Sequence, residues 1–142
     1  MDERKASFKI VIRKIERPFS NEPMDELDWI CESLGFFETI DKDKTASSIF
    51  REIVTATEKG EALTSTAIAE RVGMSRGAVI NHLNNLLRAG LITRHGRYYI
   101  ARSKSVYRTI KEIEEDILSV FRKMEITARE IDEEMGIEVN EK

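Results

Sequence analysis

Leu63-Thr64-Ser65-Thr66-Ala67-Ile68-Ala69-Glu70-Arg71-Val72-Gly73-Met74-Ser75-Arg76-Gly77-Ala78-Val79 is the stretch that decides how this chain reads. Thr64 or Ser65 offers a side-chain oxygen to the unpaired N–H groups of a helix, and Ile68, Ala69 and Val72 follow at helical spacing. Gly73 ends that helix where a tight turn requires a positive φ. Ser75 caps a second helix with an apolar row of Val79, Leu83, Leu86 and Leu87, and Gly90 closes it. Leu91-Ile92-Thr93-Arg94 and Arg97-Tyr98-Tyr99-Ile100-Ala101 then read as two strands joined at His95-Gly96. The order is helix, tight turn, helix, β-hairpin.

Charge falls on the same window. From Arg71 to Lys111 there are nine Lys or Arg residues and no Asp or Glu, in a chain whose formal net charge is −3. Positive charge gathered on one stretch of an acidic chain marks a polyanion-binding face. On a helix starting at Ser75, the apolar row leaves Gly77, Asn81, Asn84, Asn85 and Arg88 near the opposite face. Asn pairs bidentately with adenine, and Arg with guanine or phosphate. Gly77 lets the backbone approach a ligand closely, while Ser75, Arg76 and the free N–H groups at the helix start suit a phosphate. The plainer reading has the three Asn merely solvating an exposed face, but they are poor helix formers to place together there. Arg94, His95 and Arg97 sit at the hairpin, where basic residues straddle a phosphate backbone or enter the minor groove. The alternative is an ordinary hairpin with solvated arginines.

These residues, with His82-Leu83, Leu86-Leu87 and Gly90-Leu91-Ile92, resemble the winged helix-turn-helix of prokaryotic transcription regulators, of the broad kind that includes the arsenic-sensor and multiple-antibiotic-resistance families. The resemblance covers residues 45–101. It implies three helices and a two-stranded wing, with the third helix in the major groove of double-stranded DNA. The fold class expected is mainly α with a small β component.

The flanks add two extensions. Phe8-Lys9-Ile10-Val11-Ile12-Arg13-Lys14-Ile15 reads as a strand and Met24 to Leu34 as a short helix, with Pro23 suited to its first turn. Glu22, Asp25, Glu26, Asp28 and Glu32 make one side of that helix acidic, either as a solvated face or as a protein-contact surface. Thr45 to Glu58 is a further helix, with Ile49, Phe50, Ile53 and Val54 as its apolar face. Beyond the hairpin, Ser103 or Lys104 opens a last helix running to Met135. In it Val106, Ile110, Ile113, Ile117, Val120 and Met124 alternate steps of four and three, and Ile131 continues the row past Thr127. That spacing predicts a homodimer seam of coiled-coil type. Two uses are open for Arg102, Lys104, Arg108 and Lys111: outer phosphates, or acids of a partner helix. The domain reading is an extension over 1–40, a winged helix-turn-helix over 41–103, a dimerisation helix over 104–136 and a tail over 137–142.

Asp28-Trp29-Ile30-Cys31-Glu32-Ser33-Leu34-Gly35-Phe36-Phe37 and Asp41-Lys42-Asp43-Lys44-Thr45-Ala46, after an N-terminal strand, look like a group of small archaeal transcription regulators. For that group the resemblance implies an activator that recruits basal transcription factor B, with the acidic helix as a candidate protein-contact surface; contact of the winged helix itself with RNA polymerase or a general factor belongs to the alternative of a protein-interaction module.

Other classes find little support. With two His and one Cys there is no zinc-ligand spacing, and His82 beside the apolar row reads as a packed histidine. No Gly-rich phosphate loop or nucleophile elbow occurs, so no enzyme and no cofactor are expected. No apolar run reaches the roughly 20 residues of a membrane span. A lone Cys31 suits a reducing cytoplasm, with the protein on the nucleoid. The sequence therefore predicts a sequence-specific DNA-binding regulator. An architectural chromatin protein, or a protein-interaction winged helix within the transcription machinery, is the alternative.

Overall fold

A computed structural model describes residues 12–34 and 45–139. The elements in chain order are α1 (Pro23–Leu34), α2 (Thr45–Glu58), β1 (Leu63–Thr64), α3 (Ser65–Val72), α4 (Arg76–Arg88), β2 (Ile92–His95), β3 (Tyr98–Ala101) and α5 (Val106–Glu134). The architecture is mostly helical with a small antiparallel sheet, as the sequence predicts. The chain divides into two units between Thr109 and Ile110.

The core of the first unit is built on α2. Ile49, Phe50 and Ile53 are fully buried there, and Ile68 of α3 and Val79, Leu83 and Leu86 of α4 are buried with them. α2 packs against α1, α3, α4 and β3. Leu87, expected in the buried row of α4, is only half-buried. Leu91, Ile92 and Tyr99 bring the sheet into the same core.

The sheet has three strands, in the order β1-β3-β2. The third strand is an addition to the expected hairpin: Leu63 and Thr64 pair with Tyr99 and Tyr98. Two residues are too few to show an alternating pattern in sequence. The hairpin itself is shifted by one residue from expectation. His95 pairs with Tyr98, so the connecting residues are Gly96 and Arg97, and Gly96 takes φ 63°. A side-chain tie fixes the sheet to α2. The Ala101 N–H donates to Thr57 Oγ1 at 2.9 Å, and the Thr57 hydroxyl donates to the Ile53 carbonyl at 2.8 Å.

The expected N-terminal strand is corrected over Ile12–Ile15, which carries no strand; its remainder, Phe8–Val11, lies outside the described residues. A strand needs a ladder partner, and here the backbone groups turn to α1 instead. The Arg13 N–H donates to the Ser33 carbonyl at 2.8 Å, and Trp29 Nε1 donates to the Ile15 carbonyl at 2.8 Å. α1 is joined to α2 by the buried Ser47, whose hydroxyl donates to Asp28 Oδ1 at 2.9 Å.

α5 starts later than the sequence suggests, because Ser105 supplies the cap: its hydroxyl oxygen accepts from the Arg108 N–H at 3.0 Å. At the other end the Ile137 N–H reaches the Asp132 carbonyl at 2.8 Å and Gly136 adopts φ 72°, the left-handed close that glycine permits. Along the predicted seam, Val106, Ile110 and Ile117 are half-buried and Ile113 is buried in the single chain. Val120, Met124 and Ile131 are exposed.

Candidate nucleic-acid interface

α3 and α4 form the helix-turn-helix, and each local feature follows from a residue type. The Thr64 side chain accepts from the Ala67 N–H at 3.1 Å, capping α3. Gly73 sits at φ 69° and ψ 37°, and the N–H groups of Gly73 and Met74 both turn back to the Ala69 carbonyl. An L-residue with a Cβ resists that conformation. Two residues later Ser75 accepts from the Ala78 N–H at 3.2 Å and caps α4. The chain is thereby turned within three residues, from the end of one helix to the start of the next.

α4 divides cleanly by face. Val79, Leu83 and Leu86 are buried, whereas Gly77, Asn81, Asn84 and Arg88 are exposed and Asn85 is half-buried. Those exposed residues fall at steps of four and three, which keeps them on one stripe of the helix. Gly77 is unusual there. A Cβ built on it meets nothing within 4 Å, so nothing among the described residues requires a glycine at that place. Ser75 and Arg76 are exposed at the helix start. Arg76 is also held from α3, its Nε donating to Ser65 Oγ at 3.2 Å.

The β2–β3 tip carries Arg94, His95 and Arg97, all exposed. Arg94 Nε donates to the Gly96 carbonyl at 2.7 Å, and its guanidinium lies 5.7 Å from the centre of the Tyr99 ring. That contact follows from register, because Arg94 and Tyr99 are direct cross-strand partners. Arg97 stands over Tyr98 at 5.4 Å and reaches its hydroxyl at 3.4 Å. His95 Nε2 lies 3.4 Å from Thr93 Oγ1. Tyr99 is buried and Tyr98 is partly exposed, so each tyrosine serves as a platform for one arginine. The supporting roles of Ser65, Tyr98 and Tyr99 escape sequence reading; the alternation of the two tyrosines was the one available signal.

Acidic side chains stand beside some of these basic residues. Arg71 lies 3.6 Å from Glu52, and Lys111 lies 3.0 Å from Glu114. Both pairs are exposed, and pairs of that kind contribute little. Among the described residues no group of three His, Cys, Asp or Glu is placed to hold a metal ion, and no helix is long and apolar enough to cross a membrane.

Residues 43–95, running from the approach to α2 through β2, match the family model of a helix-turn-helix domain. No curated protein and no solved structure matches the chain. The family model supplies the helix-turn-helix and the fold adds the β2–β3 hairpin after it, an order consistent with a winged helix-turn-helix.

Proposed function

We propose that the protein binds double-stranded DNA sequence-specifically as a homodimer and regulates transcription from the sites it occupies. α4 enters the major groove, with Asn81, Asn84, Asn85 and Arg88 toward base edges. Ser75, Arg76 and Gly77 meet the phosphate backbone at the start of that helix. Arg94, His95 and Arg97 follow the backbone or the neighbouring minor groove from the wing. The observation that carries this reading is the divided face of α4: a buried aliphatic row, with amides and a guanidinium on the opposite, solvent-facing stripe.

The dimer follows from α5. Val120, Met124 and Ile131 continue the four-three row and stay exposed in a single chain. A stripe of that length is an association surface. Two copies would then read a two-fold target.

Selection of bound duplexes from a random library tests the proposal. A recurrent motif with two-fold symmetry is the expected result. Enrichment of no sequence over random duplex would favour architectural coverage instead, and no binding even at low salt would remove DNA from the reading.

Recruitment of basal transcription factor B through α1 is a secondary reading, favoured by the acidic side of that helix. Part of that acidity is already used within the chain: Glu26 pairs with Arg17 at 2.7 Å, and Asp28 accepts from Ser47.

A further inference from the structure

We propose that the exposed part of α5 pairs with the same segment of a second copy in the antiparallel sense, in the one register that sets Lys123 of each chain opposite Glu130 of the other. The proposal rests on the reading of α5 as a dimer seam and adds its direction and alignment.

Direction follows from the flanks of the seam. The row Val120, Met124, Thr127 and Ile131 advances by four, three and four. On one side of it, directly after Val120, Thr127 and Glu134, stand Phe121, Ala128 and Met135, all apolar. On the other side, directly before Ile117, Met124 and Ile131, stand Asp116, Lys123 and Glu130, all charged. Phe121 and Met135 are 52% and 69% exposed, so the apolar flank is open in the single chain. In a parallel pair each flank meets the opposite flank of its partner. Lys123 would then face Ala128, and Glu130 would face Met135: charges against apolar groups, with no ion pair across the seam. In an antiparallel pair like flanks meet. Between residues 121 and 130, apolar side chains then cover apolar ones and charges face charges.

Alignment then follows from sign and from burial. Sliding the antiparallel pair by one heptad changes which charges meet. One setting opposes Lys123 to Lys123 and Asp116 to Glu130, and another opposes Glu130 to Glu130; both are repulsive. A third opposes Asp116 to Lys123 but needs Ile113 in the seam, and Ile113 is already 3% exposed in the single chain. The remaining setting opposes Lys123 to Glu130 twice. It also stacks Ile131 on Val120, and large Phe121 on small Ala128. Charge, size and exposure select the same alignment.

Cysteine cross-linking of the full chain tests this. Val120→Cys and Ile131→Cys chains, one carrying a size tag, are mixed and oxidised with diamide. The mixed disulfide should form about tenfold faster than the Val120→Cys self-pair. Lys123→Glu should weaken the dimer about tenfold, and Lys123→Glu with Glu130→Lys in one chain should restore it. Efficient self-pairing of Val120→Cys, or failure of the double reversal to restore a wild-type dimer, would overturn the antiparallel register alone. A wild-type monomer by sedimentation at micromolar concentration would overturn the dimer reading with it.

Discussion

Replacing Gly77 with alanine should move stability and DNA affinity in opposite directions. Gly77 is the second residue of α4, its φ is not positive, and an added Cβ meets nothing within 4 Å. The fold therefore tolerates alanine there without strain. In a helix interior the exchange gains about 1 kcal/mol. In the first turn roughly half of that is expected, since fewer residues there are fully constrained. For a chain of this length 1 kcal/mol corresponds to a Tm change of about 2–4 °C, so a rise of about 1–2 °C follows. On DNA the same methyl group would stand where the helix backbone approaches the duplex. Loss of one well-made contact amounts to about 1–1.5 kcal/mol, or close to tenfold in Kd. Calorimetric melting and fluorescence anisotropy on one preparation, at one salt concentration, would read both effects. A higher Tm with unchanged affinity would refute the placement of the α4 start against DNA. A lower Tm would refute the argument from open space.

Four further outcomes are expected. Asn81→Ala and Arg88→Ala should each cost roughly 1–3 kcal/mol on the specific site and much less on random duplex, measured by competition binding. Arg94→Ala or Arg97→Ala should weaken both kinds of duplex and lower the slope of log affinity against log salt by about one unit, read from titrations at several salt concentrations. Thr57→Val should destabilise the first unit by about 1–3 kcal/mol in urea melts, because the Ala101 N–H loses its acceptor in a buried place. Ile117→Asp should convert the dimer to monomer in sedimentation, since it sets a charge in the seam row.

How far the sequence reached depended on whether a feature was local. α2 (Thr45–Glu58) ends at Glu58 as its apolar spacing predicts. The caps at Thr64 and Ser75 and the turn at Gly73 were legible because each depends on one residue's chemistry at one place. What depended on distant partners was not. Ile12 to Ile15 has the composition of a strand, but Ser33 and Trp29 take its backbone groups. Leu63–Thr64 has no strand signature, yet β3 offers it a ladder. The seam row looked uniform in sequence, although Ile113 is buried and Met124 half-exposed. In the candidate interface, the polar face of α4 could be read from helical periodicity. The contacts holding Arg76 to Ser65 and Arg94 to Tyr99 could not, because they join separate elements.

The tethered arginine at the wing bears on the thermodynamics of docking. A free arginine loses roughly 1.5–2 kcal/mol of rotamer freedom when it is fixed on a phosphate. Arg94 has lost part of that freedom before any ligand arrives, because Nε is tied to the Gly96 carbonyl and the guanidinium rests over Tyr99. If Arg94 meets a phosphate as proposed, that part of the ordering cost would be met during folding and not on the duplex, which is the advantage of a pre-organised contact. Arg94→Lys keeps the charge but lacks both the Nε donor and the planar group. It should therefore bind with a less favourable entropy at nearly unchanged electrostatic attraction.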